Sequence, residues 1–310
     1  MDNIAHTLAG AALGEAGLKR KTGLAMATLM IAANLPDIDA FGLLFGHNLD
    51  WRRGWTHGPV ALVILPVLLA LAMYGFDRWQ ARRGKRPEGR LPVRFGWLVA
   101  LSYLGMLTHP ALDFLNTYGV RLLMPFSDRW FYGDTLFIID PFMWGALGIG
   151  IWLARRRRAP AAAGAAIAAV LLYIGAMAAG GRSAERIAAR EIEARGFGRP
   201  DMVLASPVPA NPLRRDLVFV RGDSYGSGEF RWTPAPRVTL APAMVPTNMS
   251  DPAVLKAAED REVAAFLYWS RLPLAVVERD GRGALVTISD ARYSNVPNRA
   301  GFTRRVRVPE

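Results

Sequence analysis

The chain contains no cysteine, and only four of its 310 residues are histidine. The first absence excludes disulfides and thiolate metal sites, so any metal must be held by His, Asp, Glu, Asn or water. The second makes the positions of His6, His47, His57 and His109 informative one by one. Acidic residues are also scarce: 26 Asp and Glu stand against 38 Lys and Arg, for a formal net charge of +12. No internal repeat accompanies that charge, and no reader element for a nucleic acid, so nucleic acid is not an expected partner. Asp2 and the lack of a base before the first apolar stretch predict no cleavable signal peptide.

What the chain has in quantity is apolar residues, 52% of the total, with a mean hydropathy of +0.15. Long apolar tracts sit beside long polar ones. The natural partition is a membrane-embedded helical domain over residues 1–181, a helical linker over 182–199 and a small α+β domain outside the membrane over 200–310. The fold class expected is mainly α: a polytopic helical bundle of about six membrane helices, the first two short. Residues 3–18 and 23–33 form those two. Gly58–Phe76, Phe95–Leu112, Leu136–Ala154 and Pro160–Gly181 form the others. Residues 40–57 read as an interfacial loop carrying Phe41, Trp51 and Trp55. In the polar part, short β-like runs alternate with Pro and Gly turns, and one amphipathic helix fits Pro252–Arg271.

Basic runs at 19–21, 78–94 and 155–158 fall at alternate turns of this path. The positive-inside rule places all three on the cytoplasmic side if the N-terminus is external and there are six passes. His6, Asp37, Asp39, His57, His109, Asp113, Asp134 and Asp140 then arrive near one plane, the outer leaflet, from segments far apart in sequence.

Four stretches carry the chemistry: His6; Asn34-Leu35-Pro36-Asp37-Ile38-Asp39; Trp55-Thr56-His57-Gly58; and Thr108-His109-Pro110-Ala111-Leu112-Asp113. His109 and Asp113 are four apart and share one face of a helix. Imidazole nitrogen and carboxylate oxygen suit Zn, Mn or Fe, and ionisable groups in a membrane helix are costly enough to imply function. The expected metal ligands are His6, Asp37, His57, His109 and Asp113, holding one or two divalent ions. Asp37 and Asp39 are the expected catalytic carboxylates. In an extended loop after Pro36 they point to opposite sides, so that one ligates while the other orients a histidine; in a turned loop both could bridge two metals. Asn34-Leu35-Pro36-Asp37 also reads as an ordinary helix stop, and Asp140-Pro141 as an ordinary cap. His47 reads as an interfacial histidine without a role.

The ordered set resembles the YdjM-like family of bacterial inner-membrane proteins, described as metal-dependent hydrolases. The Phe131-Tyr132-Gly133-Asp134 and Ile139-Asp140-Pro141 stretches look like that family too. A more distant likeness is to the helical zinc phospholipase C and P1 nuclease group, although the additional His and Glu of tri-zinc sites are missing here. The resemblance implies a metal-binding hydrolase of the inner membrane; the positive-inside rule, applied to six passes, places its site and the C-terminal domain on the outer, periplasmic side. The expected substrate is a small molecule or lipid, with a phosphoester the first choice. Asn34, Asp134, Asp140 and Arg129 are the expected supports or substrate contacts, and Arg52, Arg53, Arg121 or Arg129 could clamp a phosphate. A non-enzymatic protein with a structural metal and a partner-binding domain is the alternative. A transporter is weaker, because the span centres near Leu68, Ala100 and Leu171 are apolar.

Overall fold

Asp2 starts the first helix. Its carboxylate accepts hydrogen bonds from the backbone N–H groups of Ile4 and Ala5, two donors that a helix start leaves free. The structure, a computed structural model, describes residues 1–45, 51–293 and 299–309. The chain divides into two compact units, Met1–Ala178 and Ala179–Glu310.

The first unit is helical: α1 (Asn3–Glu15), α2 (Ala25–Ala32), α3 (Pro59–Arg82), α4 (Phe95–Phe114), α5 (Pro141–Arg156) and the first part of α6 (Pro160–Ala194). Among the described residues three helices, α3, α4 and α6, are long and apolar enough to cross a membrane. Their outward faces carry Val63, Ile64, Leu68, Leu107, Leu171 and Leu172 exposed, as suits helices that face lipid. The helices α1, α2 and α5 hold 13, 8 and 16 residues. At 1.5 Å per residue they reach about 20, 12 and 24 Å, short of a hydrocarbon core of about 30 Å.

The shortest helix of the first unit, α2, is wedged between its neighbours. A Cβ on Gly10 of α1 would lie 2.7 Å from the Leu29 carbonyl oxygen, and one on Gly105 of α4 would lie 2.8 Å from the same oxygen. Both glycines therefore let backbones meet around α2, whose Leu29 and Ala32 are fully buried. That packing delivers the end of α2 to the end of α4. Beyond α2 the chain takes the turned of the two courses left open after Pro36, winding through 3-10 turns over Leu35–Phe45. Pro36, without an N–H to satisfy and with φ already fixed, suits such a start. The chain returns through a 3-10 turn at Trp55–His57. At Gly58 a Cβ would lie 1.8 Å from the Met124 carbonyl oxygen, so this turn packs directly on the loop that follows α4. That loop closes the end of α4, with the N–H groups of Thr135 and Leu136 donating to the Leu115 carbonyl at 2.8 and 3.0 Å.

Two buried carboxylates sit at the basic runs. Glu15 pairs with Lys19 and, at 2.7 Å, with Arg155. Asp77 pairs with Arg90 and, at 2.5 Å, with Arg86. The helix α3 reaches Arg82, so Arg78 and Arg82 lie on the helix and not in the loop expected from the sequence.

The second unit holds two antiparallel sheets. One joins β1 (Met202–Val208), β2 (Asn211–Arg221), β3 (Ser224–Arg231) and β4 (Arg237–Leu240), with β5 (Val245–Pro246) also on β3. The other joins β6 (Pro273–Asp280), β7 (Gly283–Asp290) and β8 (Thr303–Val308). The end of α6 belongs here: Ala184 and Ala188 are buried with Leu217 and Phe230 of the first sheet. The stretch expected to be a helical linker is helix as far as Ala194, with Ala184 and Ala188 in that core. The single helix expected over Pro252–Arg271 is two, α7 (Pro252–Ala257) and α8 (Arg261–Trp269). Asp260 makes the break, accepting from the N–H groups of Glu262 and Val263.

Candidate metal centre

Helix α4 presents His109 and Asp113 one turn apart on its buried face. The 3-10 segment after α2 brings Asp37, and the turn before α3 brings His57. One ligand atom from each of these four residues lies within 4.8 Å of all the others. His57 Nε2 is 3.1 Å from His109 Nε2 and 3.2 Å from Asp113 Oδ2. His109 Nε2 is 3.5 Å from Asp113 Oδ2 and 3.8 Å from Asp37 Oδ1. A tetrahedral shell with bonds of about 2.0–2.1 Å has donor–donor edges of about 3.3–3.4 Å. The observed edges bracket that value.

The histidine tautomers favour a cation between them. His109 Nδ1 is 2.7 Å from the carbonyl oxygen of Ala33, which can only accept, so Nδ1 carries the proton and Nε2 the lone pair. His57 Nδ1 faces Thr56 Oγ1 at 3.0 Å and Asp39 Oδ2 at 3.4 Å, which places its lone pair on Nε2 as well. Two lone pairs 3.1 Å apart repel unless a positive centre lies near both. Burial lowers the pKa of His57, which keeps the ring neutral and able to ligate. Burial also pushes the Asp39 carboxyl up, against the opposing pull of His57 and Arg52.

Asp113 is the hub. Its Oδ2 meets both imidazoles and Arg53 Nε at 3.1 Å, while its Oδ1 meets the Met1 ammonium and, at 3.3 Å, His6 Nε2. His6 stacks on His109 with ring centroids 3.8 Å apart, fully buried, on the Oδ1 side of the carboxylate. It is therefore beside the group of four, on the opposite carboxylate oxygen from the one that meets His57 and His109. Asp39 does not share that group. It accepts from the Arg53 backbone N–H at 2.6 Å and holds His57 from behind.

The remaining predicted residues have other places. Asn34 donates to Thr7 Oγ1 and to the Met30 carbonyl, both at 2.9 Å, and so ties α2 to α1. Asp140 caps α5 through the Met143 N–H at 2.8 Å and accepts from Tyr173 OH at 2.9 Å. Asp134, at φ 47°, forms the turn against the end of α4. Arg129 is exposed and stacks over Phe131. His47 lies outside the described residues.

Two further residues belong to the centre: Arg53, expected only as one of four phosphate-clamp candidates, and Asn116, which sequence reasoning did not name. Arg53, at φ 50°, sends its backbone to Asp39 and its guanidinium to Asp113, Asn116 Oδ1 at 3.0 Å and the Gly119 carbonyl at 3.1 Å. Asn116 also accepts from the N–H groups of Tyr118 and Gly119. Its position three residues after Asp113, about one turn on, was the available signal.

The donors present suit a divalent cation: imidazole nitrogens with fixed tautomers, carboxylate oxygens, and ligand-sphere spacing among side chains that are buried or partly buried. No solved structure matches the chain, so the distant likeness to the zinc phospholipase C and P1 nuclease group rests on motif order alone. A curated relative, the "Uncharacterized protein YfhP" of Bacillus subtilis (strain 168), is 29% identical over 166 residues, covering 50% of this chain and 47% of the relative. The chain thus spans about half the length of the curated relative it matches. A family model, YdjM inner membrane protein, matches residues 1–181, the whole of the segment that carries every one of these side chains. The chain belongs to the YdjM inner membrane protein family.

Proposed function

We propose that this protein is a multi-pass, metal-dependent hydrolase of the bacterial inner membrane, acting on a phosphoester or lipid-like substrate at the outer, periplasmic face. The reading rests on one observation above the rest: two buried imidazoles direct their lone pairs at one point, 3.1 Å apart, with two carboxylates beside them. Asp37, His57, His109 and Asp113 hold the ion, and His6 is the further donor on the far oxygen of Asp113. Zn, Mn or Fe suits this donor set. Bound there, such an ion supplies Lewis acidity and lowers the pKa of water toward about 7. Asp39 keeps the His57 ring in its ligating tautomer, and Ala33 does the same for His109. Arg53 offsets the charge of Asp113 and fixes its plane. Six passes with an external N-terminus put the basic runs in the cytoplasm and the centre at head-group depth, where a lipid ester would meet it.

A second reading takes the metal as a structural staple. It is favoured by the Arg53 guanidinium and Met1 ammonium, both already paired with Asp113. It predicts retained metal and no turnover.

The test is metal analysis of protein purified in detergent, wild type against His57→Ala and His109→Ala. Wild type is expected to carry close to one or two Zn, Mn or Fe per chain, and both variants to lose most of it. Normal metal content in both variants would end the assignment.

A further inference from the structure

Three arginines lie within the site, and they are not equivalent. Arg53 is buried and fully engaged, on Asp113, Asn116, the Gly119 carbonyl and the Tyr118 ring. Arg121 is buried, stacks over Trp130 and donates to the Arg52 carbonyl at 3.0 Å. Arg52 differs. Its side chain is 24% accessible, and its Nη1 sits 3.2 Å from Asp39 Oδ1 and 3.5 Å from Asp37 Oδ1. It rests on the same Asp37 oxygen that faces His109 and is the one of the three that solvent reaches.

A divalent cation on the Asp37 oxygen would repel the guanidinium that rests there. Open to solvent, Arg52 is placed to turn to an anion entering beside the metal. A guanidinium suits a phosphate because its planar fork meets two oxygens at once. Trp51 and Trp55, 45% and 58% exposed, flank it in sequence, as aromatic residues do at a head-group boundary.

Resting on the metal-centre reading above, we propose that Arg52 is the anion clamp of the site: it moves from the Asp37 and Asp39 carboxylates onto the phosphate group of the substrate when the metal is in place. The group recognised is a phosphate with at least two free oxygens, borne by a lipid head group or by a soluble molecule.

The probe is inorganic phosphate, titrated calorimetrically into full-length protein in detergent, with and without Mn²⁺. Wild type, Arg52→Gln, Arg52→Lys and, as an exposed basic control, Lys85→Gln are compared, and metal content is measured in each. Wild type and Lys85→Gln are expected to bind phosphate only when loaded with metal. Arg52→Gln should keep its metal and bind phosphate at least about 10-fold more weakly, with Arg52→Lys between, because a single charge-assisted contact to phosphate is lost or loses its fork. Equal phosphate affinity in metal-loaded wild type and Arg52→Gln overturns the clamp and leaves the metal centre standing. Loss of metal from Arg52→Gln but not Arg52→Lys assigns Arg52 to holding the carboxylates, and also overturns it. A wild type that takes up no metal overturns both readings together. A second arm repeats the titration in phosphatidylcholine nanodiscs with and without phosphatidic acid. Weaker apparent phosphate binding with phosphatidic acid identifies a lipid head group as the natural source of the anion, and no change identifies a soluble one.

Discussion

At the scale of single residues the centre divides into groups that face the ion and groups that hold them, and Asp39 tests the distinction. Its Oδ2 accepts from the Arg53 backbone N–H at 2.6 Å and faces His57 Nδ1 at 3.4 Å. A carboxylate behind a ligating histidine fixes the tautomer and raises its basicity, and removing it costs about 10- to 100-fold in metal affinity. Asp39→Asn is therefore expected to weaken metal binding within that range, read by competition with a chelator, while Asp37→Asn and His109→Ala lose metal outright. Equal losses in Asp39→Asn and Asp37→Asn would place both carboxylates on the ion. The sequence made His109 and Asp113 legible, because a helix converts a spacing of four into a shared face. It did not separate Asp37 from Asp39, since their relation depends on whether the backbone after Pro36 is extended or wound. The pairing of Arg53 with Asn116 was hidden for another reason. The two are 63 residues apart in the chain, and no local pattern encodes such a contact.

Elements are held together here by what side chains leave out. The helix α2 is only eight residues long, too short to be stable alone, and it persists because two helices approach it without Cβ atoms in the way. Gly105→Ala puts a methyl group 2.8 Å from both the Leu29 carbonyl oxygen and Ala32 Cβ. Overpacking of this kind costs about 1–3 kcal/mol. Gly96 lies in the same helix, with nothing within 4 Å of the point a Cβ would occupy, so Gly96→Ala should be neutral or stabilise by up to about 1 kcal/mol. Thermal unfolding in detergent should separate the two, with Gly105→Ala melting lower and releasing metal earlier, since the end of α2 leads into the Ala33 carbonyl that orients His109. Equal melting of both variants would mean that α2 is not wedged as described. Two helix starts were legible at this scale, after Asp2 and after Asp251, whereas the span read from Leu136 begins only at Pro141, where Asp140 caps it. The break at Asp260 was missed because the apolar period of Pro252–Arg271 runs through it, and the competing signal, an Asp able to cap, is short and local.

For the whole molecule, the proposed orientation of the centre in the bilayer rests on charge. The basic runs at 19–21, 78–94 and 155–158 carry most of the positive charge of the first 181 residues. Each touches a buried carboxylate, Glu15 or Asp77, so their positions are tied to helix ends. With those runs cytoplasmic, Asp128 and Ser250 belong on the outer side of the membrane, and Lys85 and Arg157 on the inner side. The absence of cysteine makes this directly measurable, since any single cysteine introduced is the only thiol in the chain. All four positions are exposed. In intact spheroplasts a membrane-impermeant maleimide should label Asp128→Cys and Ser250→Cys, and should reach Lys85→Cys and Arg157→Cys only after permeabilisation. The reverse pattern would turn the centre toward the cytoplasm and make its substrate a cytoplasmic one, with the metal chemistry unchanged. Labelling of Asp128→Cys and Lys85→Cys from the same side would break the alternation, because α4 would then not cross, and His109 and Asp113 would lose the membrane setting that makes their burial costly and their pairing with a cation necessary.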